Sequence, residues 1–279
     1  MNHALTASVH AAMRDAAARA ILPRYRALVS AEITAKAADD VVTIADTESE
    51  AILAEALARL LPEATIVGEE AAHADPAIMR RLGGDLCWIV DPLDGTNNFA
   101  AGKPPFGVIV ALAEAGETIA GWIYDPLKDR FCHAMRGGGA WIDGERIAAR
   151  ASGSQPPVAA ISLVFMDPEH RAAVKAHIAP HYAVVDIPRC AAEQYPRLVL
   201  GENDVSVFER TLPWDHAAGV LLVNEAGGLA ARPDGSAYRV DDDRAGLIGA
   251  ASPRLWEELA GRMARFASIQ PKARSPASP

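Results

Sequence analysis

The stretch Trp88-Ile89-Val90-Asp91-Pro92-Leu93-Asp94-Gly95-Thr96 decides how this chain is read. An apolar run typical of a buried strand delivers two carboxylates on either side of a Pro-Leu step, and a glycine and a hydroxyl residue follow at once. Carboxylates are the hard oxygen ligands that Mg²⁺ takes. A Gly-Thr step that opens a helix offers free backbone N–H groups to an anion. Pro92 restricts the backbone between the two acids, which makes the Leu93 carbonyl a further candidate ligand. The segment suits a divalent cation held against a phosphate. Read alone, Asp94-Gly95-Thr96 is equally an ordinary turn after a strand.

Three more acidic clusters lie along the chain. Asp40-Val41-Val42-Thr43-Ile44-Ala45-Asp46 ends in a carboxylate just before Thr47-Glu48-Ser49-Glu50, which has the spacing of a capping box. It predicts a helix over 47–61 with Ile52, Leu53, Ala56, Leu57, Leu60 and Leu61 on one face. Asp46 then sits at a helix N-terminus, where an acid is favoured in any case. Gly68-Glu69-Glu70 follows the strand-like run Ala64–Val67 and would otherwise pass for a solvated turn. Pro213-Trp214-Asp215-His216 leads an apolar run into Glu225-Ala226-Gly227-Gly228. That is the outline of a helix with an acid at its start and glycines at its end; by itself Asp215 reads as an N-cap.

In this order and at these spacings the four motifs resemble the inositol monophosphatase-like family of Mg²⁺-dependent, lithium-sensitive phosphatases. The resemblance runs from about Lys36 to about Gly228. It implies a layered α/β/α/β/α sandwich with the active site between two halves. It also implies that Glu69, Asp91 and the Leu93 carbonyl hold the Mg²⁺ ion that activates water. Asp91, Asp94 and Asp215 would hold a second ion facing the leaving oxygen, and Glu69 would touch a weaker third. Asp46 and Thr96 correspond to the pair that takes the proton from the water, and the N–H groups of Gly95 and Thr96 to the phosphate cradle. Lys36 matches a family lysine near the outer metal water, with a plain surface lysine as the equal alternative. A homodimer is implied in the same way.

The regions that set specificity depart from the inositol pattern. Members acting on inositol phosphates carry an Arg followed by Gly-Ser/Thr-Ala before the last motif, where this chain has Arg189-Cys190-Ala191-Ala192-Glu193-Gln194-Tyr195. The family acid that contacts inositol hydroxyls lies seven positions before the last Asp; here that position is Phe208, with Glu209 and Arg210 following. Candidate substrate contacts are therefore Asp94, Gly95, Thr96, Arg189, Glu193, Glu209 and Asp215. Arg210 would favour a second anionic group on the substrate, or is simply an exposed loop residue.

Composition narrows the classes further. The net charge of −9 disfavours a broad nucleic-acid surface, so no nucleic-acid partner is expected. It does not exclude an anionic substrate, because bound cations reverse the local field. Cys87, Cys132 and Cys190 are scattered and lack metal or redox spacing, which predicts free thiols in a reducing compartment. Residues 1–20 lack a signal-peptide core, and no apolar run reaches membrane-spanning length, so a cytoplasmic protein is expected. None of the eight histidines forms a zinc-hydrolase pattern.

Along the chain, Ala4–Val29 reads as an amphipathic helix broken near Pro23. Strands are predicted near 86–90, 107–112, 119–124 and 130–135. Gly137-Gly138-Gly139 and Asp143-Gly144 act as hairpin turns. Small and proline residues at 151–157 mark a domain boundary. An α+β domain over 1–150 would supply Asp46, Glu69, Asp91 and Asp94. An α/β domain over 151–267 would supply Asp215 and the specificity loops, and 268–279 would be a disordered tail. In the second half, strands are expected at 158–163, 182–187, 205–208 and 247–250. Helices are expected at 169–177, 191–200, after Asp215, and from Ser252-Pro253 onward, the last carrying Leu255, Leu259, Met263 and Phe266 on one stripe.

The expected activity is Mg²⁺-dependent hydrolysis of a small phosphomonoester. A phosphoaspartate route of the haloacid-dehalogenase type requires Asp-x-Asp, and Pro92 stands two positions before Asp94. The alternative is a phosphatase-like protein acting as a binding partner in a regulatory complex, as some relatives do on transcription complexes.

Overall fold

Strand β4 (Cys87–Asp94) is buried along its whole length, and its two faces belong to different cores. Trp88 and Val90 point to one side and Cys87 and Ile89 to the other, as the two-residue period of a strand requires. A strand apolar on both faces needs a layer on each, and the computed structural model, which describes residues 3–37 and 40–269, supplies them.

β4 lies in a seven-stranded sheet of order β3-β4-β5-β6-β7-β8-β9. Its other strands are β3 (Thr65–Gly68), β5 (Gly107–Glu114), β6 (Glu117–Asp125), β7 (Arg130–Met135), β8 (Gly139–Ile142) and β9 (Glu145–Ile147). Only β3 and β4 pair in parallel; the rest is an antiparallel meander with the expected turns at Gly137–Gly139 and Asp143-Gly144. On the outer face lie α1 (His3–Ala16) and α2 (Ile44–Leu60), with Val9, Met13, Leu53 and Leu57 packed against Trp88 and Trp122. On the inner face lie α6 (Ala191–Leu200) and α7 (Pro213–Glu225).

Beyond these two helices is a five-stranded mixed sheet of order β11-β10-β12-β14-β13. Its strands are β10 (Val158–Ile161), β11 (Ala183–Val185), β12 (Val205–Phe208), β13 (Leu229–Ala231) and β14 (Leu247–Ala250). Its far face is covered by α5 (Pro168–His177) and α8 (Pro253–Ile269) through Val174, Trp256 and Leu259. The result is the α/β/α/β/α layering.

Helix α7 is the central layer, buried on nearly every side, as a helix apolar all round must be. Close approach is made possible by two glycines. A Cβ on Gly121 would stand 2.7 Å from the Ala218 Cα, and one on Gly219 would enter the Tyr195 ring.

Several elements differ from expectation. The first helix ends at Ala16 and continues as a wide turn over Ala17–Ile21 and a tight one over Leu22–Arg24 that contains Pro23, so it does not reach Val29. Helix α2 begins one turn earlier than Thr47. Thr43 is its N-cap, accepting from the Ala45 N–H at 3.2 Å, and Asp46 closes the box by accepting the Thr43 N–H at 2.8 Å. Thr47 lies inside the helix and donates to the Ile44 carbonyl. Glu50 spans to α3 (Glu69–Ala74), where its carboxylate accepts the Glu70 and Ala71 N–H groups. The antiparallel pair of β1 (Ile33–Ala37) and β2 (Asp40–Thr43), helix α3 and β13 (Leu229–Ala231) carry no clear periodicity in the sequence. The Lys36 and Phe266 side chains and the tail beyond Ile269 lie outside the described residues. Among the described residues no helix is long and apolar enough to cross a membrane.

Candidate active site

Strand parity explains why the acids meet. Asp91 follows Cys87 and Ile89 on the inner face of β4, toward α7. Asp94 would fall on the opposite face, but a bulge intervenes. Asp91 pairs with Ile109 and Asp94 with Gly107, so three steps on β4 match two on β5. Such a bulge re-aims the following side chain, and Asp94 returns to the side of Asp91. Pro92, which has no N–H for the ladder, sits in the bulge, and its carbonyl accepts the Ser49 hydroxyl at 2.8 Å. Asp215, in the first turn of α7, arrives from the facing layer. One carboxylate oxygen from each of Asp91, Asp94 and Asp215 lies within 4.8 Å of the others.

The N-terminus of α6 completes this wall. The Ala192 N–H donates to Asp94 Oδ2 at 2.6 Å. Gly107 makes room for it, since a Cβ there would come within 2.6 Å of the Ala192 Cβ. Gly95 has φ of 83°, in the left-handed region, and a Cβ would stand 2.9 Å from the Pro105 carbonyl. Both the conformation and the space demand glycine.

On the other side of the bulge, α4 (Thr96–Ala100) begins, and the Thr96 hydroxyl lies 2.9 Å from Asp46 Oδ1 and 2.8 Å from the Leu93 carbonyl, either of which can accept its proton. The second Asp46 oxygen accepts from the Thr43 N–H and hydroxyl. Asp46 therefore serves the helix cap with one oxygen and faces Thr96 with the other.

The electrostatics are those of crowded, dry acids. Burial, then the charge of Glu69, pushes Asp46 up to about 6 against the bonds from Thr43 and Thr96. Burial raises Asp91 well above the ordinary carboxylate range, and Glu69, Asp94 and Asp215 add to it. Asp94 and Asp215 are raised for the same reasons. Hard oxygen donors that repel one another where burial weakens their hydration are the donor set a divalent cation fits, because it removes the repulsion that otherwise forces protonation.

These acids line an open cleft, which Glu69, Leu93, Gly95, Thr96 and Arg189 also line. Two other candidates lie elsewhere. Glu193 is buried beneath α6, accepting from Arg130 at 2.6 Å, Arg197 at 3.0 Å and Lys128 at 3.1 Å, and does not line the cleft. A long acid one residue past Ala192 looked available to substrate, but helical geometry turns it toward the β6–β7 cations. Glu209 faces away, 3.7 Å from His170 Nδ1. Arg210 does line the cleft, 3.8 Å from Asp215 Oδ2. His216, in the first turn of α7, holds the Arg210 backbone in place. Its Nε2 donates to the Arg210 carbonyl at 2.9 Å, which leaves Nδ1 to accept the Tyr195 hydroxyl at 2.6 Å. Burial drops His216 to about 3, so it stays neutral. Gln194, Phe165 and Ile187 also line the cleft; only their tertiary position marks them, and nothing local in the sequence does.

Fold and site together define a layered α/β protein with a carboxylate triad, two members buried and Asp215 half-buried, where two sheets face each other across a helix pair. Comparison with known proteins narrows this. The family model of the inositol monophosphatase family matches residues 1–269. The chain is 32% identical over 271 residues to the Nus factor SuhB of Haemophilus influenzae, covering 94% of this chain and 96% of that one. It is 33% identical over 242 residues to the chloroplastic phosphatase IMPL1 of Arabidopsis thaliana, covering 82% of this chain and 63% of that one. The crystal structure of the extragenic suppressor protein suhB from Bartonella henselae superposes with a TM-score of 0.79 at 26% identity, over 93% of this chain and 98% of that one. The chain belongs to the inositol monophosphatase family.

Proposed function

We propose that this protein hydrolyses a small phosphomonoester in an Mg²⁺-dependent reaction in which water is the nucleophile. The convergence of Asp91, Asp94 and Asp215 beside the Thr96–Asp46 pair carries this reading. Asp91, Asp94 and Asp215, with Glu69 and the Leu93 carbonyl, would hold two or three Mg²⁺ ions. Bound there, the cation supplies charge neutralisation, a more acidic water and stabilisation of the leaving oxygen.

The chain's own groups do the rest. Thr96 Oγ1, donating its proton to Asp46 Oδ1, presents its lone pairs to the attacking water. The proton lost by water moves to Oγ1 as the Thr96 proton passes to Asp46. Gly95 and Thr96 border the position of the phosphate, and Arg189 adds positive charge along the cleft. Asp94 is held in place by the Ala192 N–H. Lithium sensitivity, a cytoplasmic location and a homodimer belong to the same reading.

A second reading rests on the relatives named Nus factor SuhB: the protein serves as a binding partner in a regulatory complex, with or without turnover. Phosphate release by metal-stripped protein separates the two. The measurement is made with and without Mg²⁺ and Li⁺ on inositol 1-phosphate, fructose 1,6-bisphosphate, 3′-phosphoadenosine 5′-phosphate and histidinol phosphate, with Asp91→Asn beside it. The hydrolase reading expects Mg²⁺-dependent release that Asp91→Asn abolishes, and an Mg²⁺-induced rise in melting temperature that the variant loses. Turnover that survives Asp91→Asn overturns the site. Folded, Mg²⁺-binding protein that turns over none of these esters favours the partner role.

A further inference from the structure

Part of the cleft wall is built from β10, β12 and the segments that follow β10 and precede α6. It carries Val164, Phe165, Ile187, Val207 and Phe208, with Ser162 among them. Neither Glu193 nor Glu209 lines it, because Glu193 is sequestered by three cations and Glu209 points to His170. A polyol lying on these carbons would bury hydroxyls there, which is costly wherever Ser162 or Arg210 does not meet them.

Phe165 is 48% exposed, an unusual state for a phenyl ring, and it lines the cleft with the Arg210 guanidinium 4.1 Å from its ring centroid. The same guanidinium lies 3.8 Å from Asp215 Oδ2. A ring braced on one side by a fixed cation is a platform for a second flat group.

We propose that the alcohol half of the substrate carries an aromatic ring, which packs against Phe165 and Ile187 while the phosphate reaches the acids. This rests on the phosphatase reading and specifies its substrate class. A ring–ring contact of this kind is worth roughly 2- to 12-fold in binding.

The test compares esters with similar leaving groups: 2-phenylethyl phosphate and its saturated twin 2-cyclohexylethyl phosphate, with inositol 1-phosphate alongside, all with Mg²⁺. The expected ratio of kcat/KM, phenyl over cyclohexyl, lies in that roughly 2- to 12-fold window, and inositol 1-phosphate is the slowest of the three. Phe165→Leu should bring the ratio to near one and Phe165→Tyr should keep it. The half-exposed position makes both variants compatible with folding. A wild-type ratio near one, a ratio unmoved by Phe165→Leu, or preference for inositol 1-phosphate overturns the inference and leaves the phosphatase reading standing. Failure to turn over any of the three, by protein that is folded and binds Mg²⁺, overturns both.

Discussion

Glu193→Gln tests how the layers of the site are locked together. The carboxylate is buried, with 5% of its side chain exposed, and it binds Arg130, Arg197 and Lys128. Removing one partner of a fully buried ion pair costs about 3–5 kcal/mol. Two features reduce this. The Lys128 and Arg197 side chains are 53% and 27% exposed, so water compensates them in part. Asp125 also stays close, 3.5 Å from Lys128 and 3.9 Å from Arg130. The expected loss is therefore about 2 kcal/mol, or roughly 4–8 °C in Tm for a chain of this size.

The pH dependence has a definite sign. Burial raises Glu193, but the bonds from Arg130, Arg197 and Lys128 outweigh it and hold the carboxyl below its ordinary value. A carboxyl depressed in the folded state contributes stability above its unfolded pKa of about 4.3, and that contribution is lost as pH falls through the lower folded value. Urea unfolding of wild type and Glu193→Gln between pH 7 and pH 3 should show a gap that is full at pH 7 and narrows as the pH falls below about 4.3. A variant within about 0.5 kcal/mol of wild type at pH 7 would refute the assignment of Glu193 as a buried lock, since ordinary surface changes fall in that range.

Two further outcomes follow from the geometry. Thr96→Val keeps the shape of the side chain but removes the hydroxyl facing Asp46, so kcat should fall by about 10²–10⁴, whereas Thr96→Ser retains most of it; phosphate-release kinetics on any turned-over ester read this, and a loss below threefold in Thr96→Val contradicts the proton route. Gly219→Ala drives a methyl into the buried Tyr195 ring, and overpacking of this sort costs about 1–3 kcal/mol, measured as a lower urea midpoint with an unchanged slope.

Much of the site was legible locally because local forces build it. The two-residue period of β4 assigns Asp91 to a face, the Asp-Pro-Leu-Asp spacing carries the bulge, and Gly95 is called for by a backbone turn. Even the misplaced start of α2 was a choice between two neighbouring threonines, and hydrogen bonding decided for Thr43 because Asp46 returns to its N–H. The strand and helix bounds of the second half, such as 191–200 and 205–208, follow from alternation of apolar residues.

What sequence could not decide is which acids face each other. Asp215 and Glu193 look alike in the chain, each an acid in the first turn of a helix. Asp215 joins Asp91 and Asp94 because α7 lies against the seven-stranded sheet at Gly121 and against α6 at Gly219, with its start over the β4 bulge. Glu193 is captured by Arg130, a residue 63 positions away on β7. Local propensity and capping act over a few residues and are written in order along the chain. The meeting of side chains from separate layers depends on helix packing against the sheet, on small residues that permit close approach, and on which charges burial brings within reach. Those are properties of the folded molecule alone.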